Sequence, residues 1–259
     1  MKTSGNTMLI TGGGSGIGAA LAQRFHDLGN TVIIAGRRAE ALAAVCEGRP
    51  NLHAMTLDID DGAAIDAFAA ELLAAYPALN VVIHNAGIMR LEPIDTRRDM
   101  ADAEATIATN LLGPIRLTNA LVDHFIARGD ATIVTVTSGL AFVPLIDAAV
   151  YSATKAAIHS YTVALRAALA GRVEVIELAP PAVQTGLTPG QENRPGYMPL
   201  DAFIDEVMAL FEQQPTPREL LVERAAFLRN AEKEDRFDQT LDQLNTMARA
   251  ARAAQGEAR

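Results

Sequence analysis

Thr11-Gly12-Gly13-Gly14-Ser15-Gly16-Ile17-Gly18 follows the apolar run Thr7-Met8-Leu9-Ile10. It opens a stretch, Gly16 to Leu28, in which Ile17, Leu21, Ala22, Phe25 and Leu28 recur at helical spacing. A short buried strand, a glycine turn and an amphipathic helix in immediate succession form the opening unit of a parallel α/β sheet. That unit brings backbone N–H groups and a helix N-terminus against an anion such as a pyrophosphate. Gly12, Gly16 and Gly18 give the spacing G-x-x-x-G-x-G, with Gly14, Ser15 and Ile17 as the intervening backbone that would approach the ligand. A glycine turn of purely structural purpose is the other reading, and the strand-turn-helix context weighs against it.

Outward from this unit, apolar runs keep alternating with helical stretches. Strand-like runs are Asn30–Ala35, His53–Leu57, Leu79–Ile83, Ala131–Val136, Arg172–Leu178 and a candidate seventh at Glu219–Glu223. Helical patterns occupy 38–47, Gly62–Ala75, 99 to about 127 (interrupted at Gly113-Pro114) and the Ala-rich Ala149–Ala170. Short, continuously apolar strands separated by helices predict a single doubly wound Rossmann-type α/β domain over 1–259, with a seven-stranded parallel sheet and helices on both faces. The Gly/Pro-rich stretch 180–199 reads as a long loop with a lid role. The charged segment 224–259 reads as a helical extension of the same domain.

With 49% hydrophobic and 20% charged residues, the 259-residue chain can bury a sizeable core. A formal net charge of -9 argues against a broad nucleic-acid or anionic-membrane surface. One cysteine, Cys46, allows no intrachain disulfide and fits a cytoplasmic protein. No stretch of about 18 apolar residues suggests a membrane span. Lysine is scarce: Lys2, Lys155 and Lys233 stand against nineteen arginines, which draws notice to Lys155.

At the end of the second strand, Ala35-Gly36-Arg37-Arg38 has arginines where a carboxylate would bind a ribose 2′-hydroxyl. Arginine pairs bidentately with phosphate, so Arg37 and Arg38 point to NADP, with NAD possible. The other reading has Arg37 stacking and Arg38 solvated. Asp58, in Leu57-Asp58-Ile59, can accept from an adenine amino group. It can also cap the next helix, a role open to Asp60 or Asp61 too.

Tyr151-Ser152-Ala153-Thr154-Lys155 places a phenol and an ammonium at i and i+4, on one helix face. A free tyrosine ionises near pH 10, too high for neutral acid/base work. A neighbouring cation should lower that value. Ser138 follows the fifth strand, at the sheet end where ligands bind, and can hold a substrate oxygen beside Tyr151. Alone, a Tyr-x-x-x-Lys pair is a surface helix pair.

Together these residues resemble the short-chain dehydrogenase/reductase family. The matching features are Thr11 to Gly18, Asp58, His84-Asn85-Ala86-Gly87 as a variant of N-N-A-G, Asn110, Ser138, Tyr151 and Lys155. Pro180-Pro181-Ala182-Val183-Gln184-Thr185 is similar to the family's P-G-x-x-x-T. The likeness covers residues 5 to 223. Phe227–Asn245 and the 180–185 loop are similar to the DltE-like branch. The resemblance implies a proton-relay set of Asn110, Ser138, Tyr151 and Lys155, with Asn110 in a locally bent helix positioning a water near the lysine. It implies that Lys155 binds the nicotinamide ribose, that Asn85, Ala86 and Gly87 line the cofactor with Ile59 and Pro180, and that Val183 and Thr185 meet the carboxamide. It further implies a homodimer or homotetramer acting on a small carbonyl or alcohol. Two residues depart from the pattern: His84, given no catalytic role, and Pro181, which stiffens its loop.

Leu140, Phe142 and Leu187 are expected in the substrate pocket, together with Met89, Val143, Leu145 and Met198, some of which belong to a core. No metal ligand set is expected. Two other functional classes are open: a catalytically silent NADP(H)-sensing protein, and an epimerase or dehydratase on a related fold. An intact Asn-Ser-Tyr-Lys set argues against the first, and the glycine spacing against the second.

Overall fold

β1 (Thr7–Thr11) buries Met8 and Ile10 on one face and Leu9 on the other. β2 (Thr31–Gly36) divides Val32 and Ile34 from Ile33 in the same way, and β4 (Leu79–His84) divides Val81 and Ile83 from Val82. Strands apolar on both faces need a layer of helices on each side. The computed structural model, which describes residues 1–254, has that architecture. Its seven strands are all parallel, in the order β3-β2-β1-β4-β5-β6-β7. The remaining strands are β3 (Leu52–Thr56), β5 (Thr132–Val136), β6 (Glu174–Leu178) and β7 (Glu219–Leu220).

One face is covered by α1 (Gly16–Asp27) and α7 (Leu200–Phe211), which meet through Phe25 and Phe211 with ring centroids 5.3 Å apart, edge to face. α2 (Ala39–Cys46) adds Leu42 to this layer. The other face is packed by Ile65, Phe68 and Leu72 of α3 (Gly62–Ala75), Leu117, Leu121 and Phe125 of α5 (Gly113–Arg128), and Leu165 of α6 (Ala149–Ala168). Asp61 is the N-cap of α3, its carboxylate accepting from the N–H groups of Ala63 and Ala64.

The doubly wound fold is the one the sequence implies, with departures beyond a shift of a residue or two at an element's end. The interruption expected at Gly113-Pro114 comes earlier. α4 (Ala101–Ile107) widens into a π-turn over Ala108–Leu112, and Pro114 sits in the first turn of α5, where its missing N–H costs nothing. β7 is only two residues long, because α8 (Glu223–Arg229) begins where the strand was expected to continue. The 180–199 segment is closed at its base by a parallel bridge between Val183 and Met198, both buried, and contains a short 3-10 turn, Gln191–Asn193. α7 went unread in the sequence, although Phe203, Ile204, Val207, Met208 and Phe211 form a plain helical stripe. The extension after residue 224 carries most of α8 and all of α9 (Phe237–Ala254); residues 255–259 lie outside the described range. Among the described residues no helix is long and apolar enough to cross a membrane.

Candidate active site

The strand order reverses between β1 and β4, and a crevice opens beyond their carboxyl ends. Thr11 and Asn85 stitch the two ends together. The Thr11 hydroxyl accepts from the N–H groups of Asn85 and Ala86, each at 3.1 Å, and the Asn85 amide donates to the Thr11 carbonyl at 2.9 Å. Gly12 has φ 68°, and a Cβ there would lie 2.8 Å from the Ala86 Cα, so only glycine fits between the strand ends. A Cβ on Gly18 would lie 2.4 Å from the Asn85 amide nitrogen and 2.5 Å from the Gly12 carbonyl. Gly18 therefore seats α1 against the strand ends and is not among the residues lining the cleft. The cleft is about 540 Å³. Gly12, Gly14, Ser15, Gly16 and Ile17 line it at the N-terminus of α1, and Asn85, Ala86 and Gly87 at the end of β4. Open backbone at a helix N-terminus, beside a crevice of this size, fits the pyrophosphate of an NAD(P) molecule.

At the β2 end Arg37 and Arg38 both line the cleft. Arg37 lies 3.6 Å from Asp60 in an exposed pair, and Arg38 donates to the Ser15 hydroxyl at 3.4 Å. Leu57 and Ile59 line the cleft and Asp58 does not. The Asp58 carboxylate accepts from the Asp60 N–H at 3.1 Å, closing a turn.

Ser138, Tyr151 and Lys155 converge on the same cleft. Ser138 follows β5, and its hydroxyl oxygen accepts from the Leu140 N–H at 3.1 Å, which fixes its rotamer. Tyr151 stands in the first turn of α6 with 7% of its surface exposed, and its hydroxyl feels that of Ser138. Lys155, one turn on, donates to the Val136 carbonyl at 2.8 Å, with its ammonium 5.6 Å from the Tyr151 ring centroid. Asn110 lies in the π-turn. Its side-chain oxygen accepts from the Ile88 N–H, and its amide donates to the Ile88 carbonyl, both at 2.9 Å, and to the Thr154 hydroxyl at 3.3 Å. It thus ties the loop after β4 to the helix bearing Tyr151 and Lys155. A Cβ on Gly87 would come within 3.3 Å of the Asn110 side-chain oxygen and 3.7 Å of the Lys155 ammonium, so a glycine keeps these groups clear.

The electrostatics correct one expectation. Burial pushes the Tyr151 hydroxyl up to about 12, against the opposing effect of the Ser138 hydroxyl. Burial also brings Lys155 down to about 8. The net shift is upward despite the lysine, because the cost of burying a phenolate exceeds what an ammonium 5.6 Å from the ring returns. His84 is buried and neutral, lowered to about 4 by burial, with Nε2 against the Thr118 hydroxyl at 2.9 Å.

From the 180–199 loop Pro180, Val183 and Thr185, expected at the cofactor, and Leu187, expected at the substrate, all line the cleft. Leu140 and Met89 pack with Leu145 around Tyr151, outside the cleft lining. Phe142 turns away: its ring meets His159 edge-on at 5.0 Å and lies under the Arg229 guanidinium at 4.8 Å. Val143, Leu145 and Met198 are buried. Sequence reasoning missed Arg90, Thr109 and Gln191, which line the cleft, and Glu92, which holds the start of α6. Arg90 was legible as a charge three residues past Gly87; the others carried no signal.

The family model described as short chain dehydrogenase matches residues 6–195. The chain belongs to the short-chain dehydrogenase family. Within it, the protein is 39% identical over 252 residues to the uncharacterized oxidoreductase DltE of Bacillus subtilis (strain 168), covering 95% of this chain and 99% of that one. It is 35% identical over 186 residues to a sulfoacetaldehyde reductase of Chromohalobacter salexigens, covering 70% of this chain and 74% of the relative. A short-chain dehydrogenase from Burkholderia cenocepacia J2315, crystallised in complex with NADP, superposes with a TM-score of 0.81. Its sequence identity is 26%, and the match covers 95% of this chain and 99% of the other.

Proposed function

We propose that this short-chain dehydrogenase is an NADP-preferring oxidoreductase interconverting an alcohol and a carbonyl, with Tyr151 as general acid/base. The observation that carries the reading is the convergence of Ser138, Tyr151 and Lys155 on one cleft whose far end is the glycine turn of α1. Arg37 and Arg38 at that far end support a 2′-phosphate, as does the NADP in the Burkholderia structure.

The bound nicotinamide supplies the hydride donor or acceptor. The Ser138 hydroxyl holds the substrate oxygen beside the Tyr151 hydroxyl. With a value near 12 this hydroxyl is protonated at neutral pH, which suits it to give a proton to an oxygen gaining negative charge. Lys155 stabilises the phenolate left behind. Asn110, fixed between Ile88 and Thr154, holds the lysine's surroundings. The 180–199 loop, bridged at its base, closes over the substrate with Leu187. A homo-oligomer belongs to the same reading, and exposed Ile107, Leu112 and Val163 on the α4–α6 surface are the side chains such an assembly would cover.

The test is NADPH oxidation against a panel of aldehydes and ketones, wild type beside Tyr151→Phe. The wild type should turn over. The variant should fall by about 10²–10⁴-fold while its NADPH affinity stays within a few-fold. Wild-type turnover in Tyr151→Phe would remove Tyr151 from the mechanism.

A further inference from the structure

Arg37, Arg38, Arg90 and Lys155 line the cleft, and among the described residues lining it there is no carboxylate, in a chain whose formal net charge is -9. Cations gathered in a recess of an acidic protein focus its field on an anionic ligand. Three of the four are accounted for by the reading above: Arg37 and Arg38 face the adenosine phosphate, and Lys155 the ribose and Tyr151. Arg90 is left over. It lies on the other side of the strand-order reversal from Arg37, in the loop after β4 and next to Met89, which packs with Tyr151. Three residues of chain span at most about 11 Å, so Arg90 starts within that distance of Gly87, beside the Lys155 ammonium. The dinucleotide already has a group for each of its phosphates without it.

We infer that Arg90 binds a carboxylate or sulfonate carried by the substrate, and that the protein acts on short anionic carbonyl or hydroxy compounds. The inference rests on the oxidoreductase reading for the reaction and on the cation inventory for the charge. Among the described residues Arg90 has one ion-pair partner, Asp102, at 3.5 Å, with side-chain exposures of 49% and 69%. An exposed pair of this kind contributes little, so the guanidinium can exchange Asp102 for a ligand at small cost. A planar guanidinium offers two parallel N–H donors to a compact oxyanion, which sets its register as well as its affinity.

Two readouts test this. In the first, protein saturated with NADP⁺ is titrated calorimetrically with a series of short carboxylates and sulfonates, each beside its neutral amide. The best anion should bind about tenfold or more tightly than its amide; Arg90→Ala should abolish that difference, Arg90→Lys should keep part of it, and Asp102→Asn should increase it. In the second, NADPH oxidation is followed with short oxo acids and their methyl esters. The acids should have the higher kcat/KM, and Arg90→Ala should raise KM for the acids alone. If no anion outbinds its amide, or the preference survives Arg90→Ala, the inference is overturned. Binding is read without turnover, so the two readings fail separately. Anion binding at Arg90 with no reduction of any carbonyl keeps the anion subsite and removes the oxidoreductase reading. Equal reduction of acids and esters does the reverse.

Discussion

The Glu92 carboxylate accepts the backbone N–H of Val150 at 2.7 Å, across 58 residues of sequence and one residue ahead of Tyr151. Its other oxygen takes the Arg98 guanidinium at 2.7 Å, and its own N–H donates to the Asp147 carbonyl at 2.9 Å. The N-cap position of α6 is Ala148, whose side chain caps nothing. The helix that presents the catalytic pair is therefore capped from outside, by a buried carboxylate on the loop after β4. That carboxylate satisfies a first-turn N–H and complements the helix dipole.

Replacing Glu92 with Ala should cost about 1–3 kcal/mol, because it strips the cap and leaves the Arg98 guanidinium unpaired. Glu92→Gln keeps an acceptor for Val150 and should cost less. If the cap positions Tyr151, kcat in Glu92→Ala falls more than NADPH affinity does. Urea midpoints measure the first effect, and single-turnover rates beside cofactor titrations the second. Equal stability of Glu92→Ala and wild type would show the cap to be dispensable.

Lys155 should make the cofactor-free protein more stable as pH rises above neutrality. Its folded value, about 8, lies below the ordinary 10.5, so between these limits the unfolded chain holds more protons than the folded one. Burying the ammonium thus costs stability at pH 7, on the order of 3 kcal/mol, and the cost fades as pH approaches 10.5. Tyr151 acts in the opposite sense at higher pH. Raised to about 12, its contribution is complete below pH 10 and lost between 10 and 12. Denaturation of wild type and Lys155→Met between pH 7 and 9.5 isolates the lysine. The stability of wild type minus variant should increase with pH, and a pH-independent difference would contradict the burial argument.

Arg37 and Arg38 should separate the two nicotinamide cofactors. Arg37→Ala with Arg38→Ala should weaken NADP binding by about 10–100-fold, the range for charge-assisted hydrogen bonds, and change NAD binding only a few-fold. Asp60→Asn, which releases Arg37 from its exposed pair, should tighten NADP slightly. Fluorescence titration of NADPH and NADH distinguishes phosphate recognition from adenine stacking, since stacking predicts equal losses for both.

The doubly wound sheet was legible because β1, β2, β4 and β5 are continuous apolar runs, and a run buried on both faces has one fold context. Ser138, Tyr151 and Lys155 were legible because each follows a recognisable strand or shares one helix turn. Asp58 was not. Sequence places a carboxylate after β3 but cannot say that its nearest donor is the Asp60 N–H, two residues on. Phe142 was misread for a related reason. Its apolar ring suits a pocket equally well, and only the packing of α6 and α8 shows His159 and Arg229 taking it up. The direction of the Tyr151 shift was hidden too, since i,i+4 spacing gives proximity but no measure of burial.

The C-terminal helix, which reads in sequence as an appendage, holds the approach to Tyr151. The Asn245 side-chain oxygen accepts from the Ile146 N–H at 2.7 Å, and its amide donates to the Pro144 carbonyl at 3.2 Å. Arg252 pairs with Asp147, and Ala248 packs on the cluster of Leu145, Ala148 and Tyr151. Segment 144–148 leads directly into α6, so α9 fixes the entry angle of the catalytic helix from outside the sheet. Asn245 is 5% exposed, and Asn245→Ala removes both of its hydrogen bonds to that segment at once. The variant should lose about 1–3 kcal/mol, and the amide N–H of Ile146 should exchange with solvent faster than those of β1 or β4. If the clamp also sets Tyr151, kcat falls while NADPH affinity, which depends on the distant glycine turn, holds. Hydrogen exchange beside steady-state kinetics reads both effects. Unchanged exchange at Ile146 would mean that the loop keeps its shape without α9.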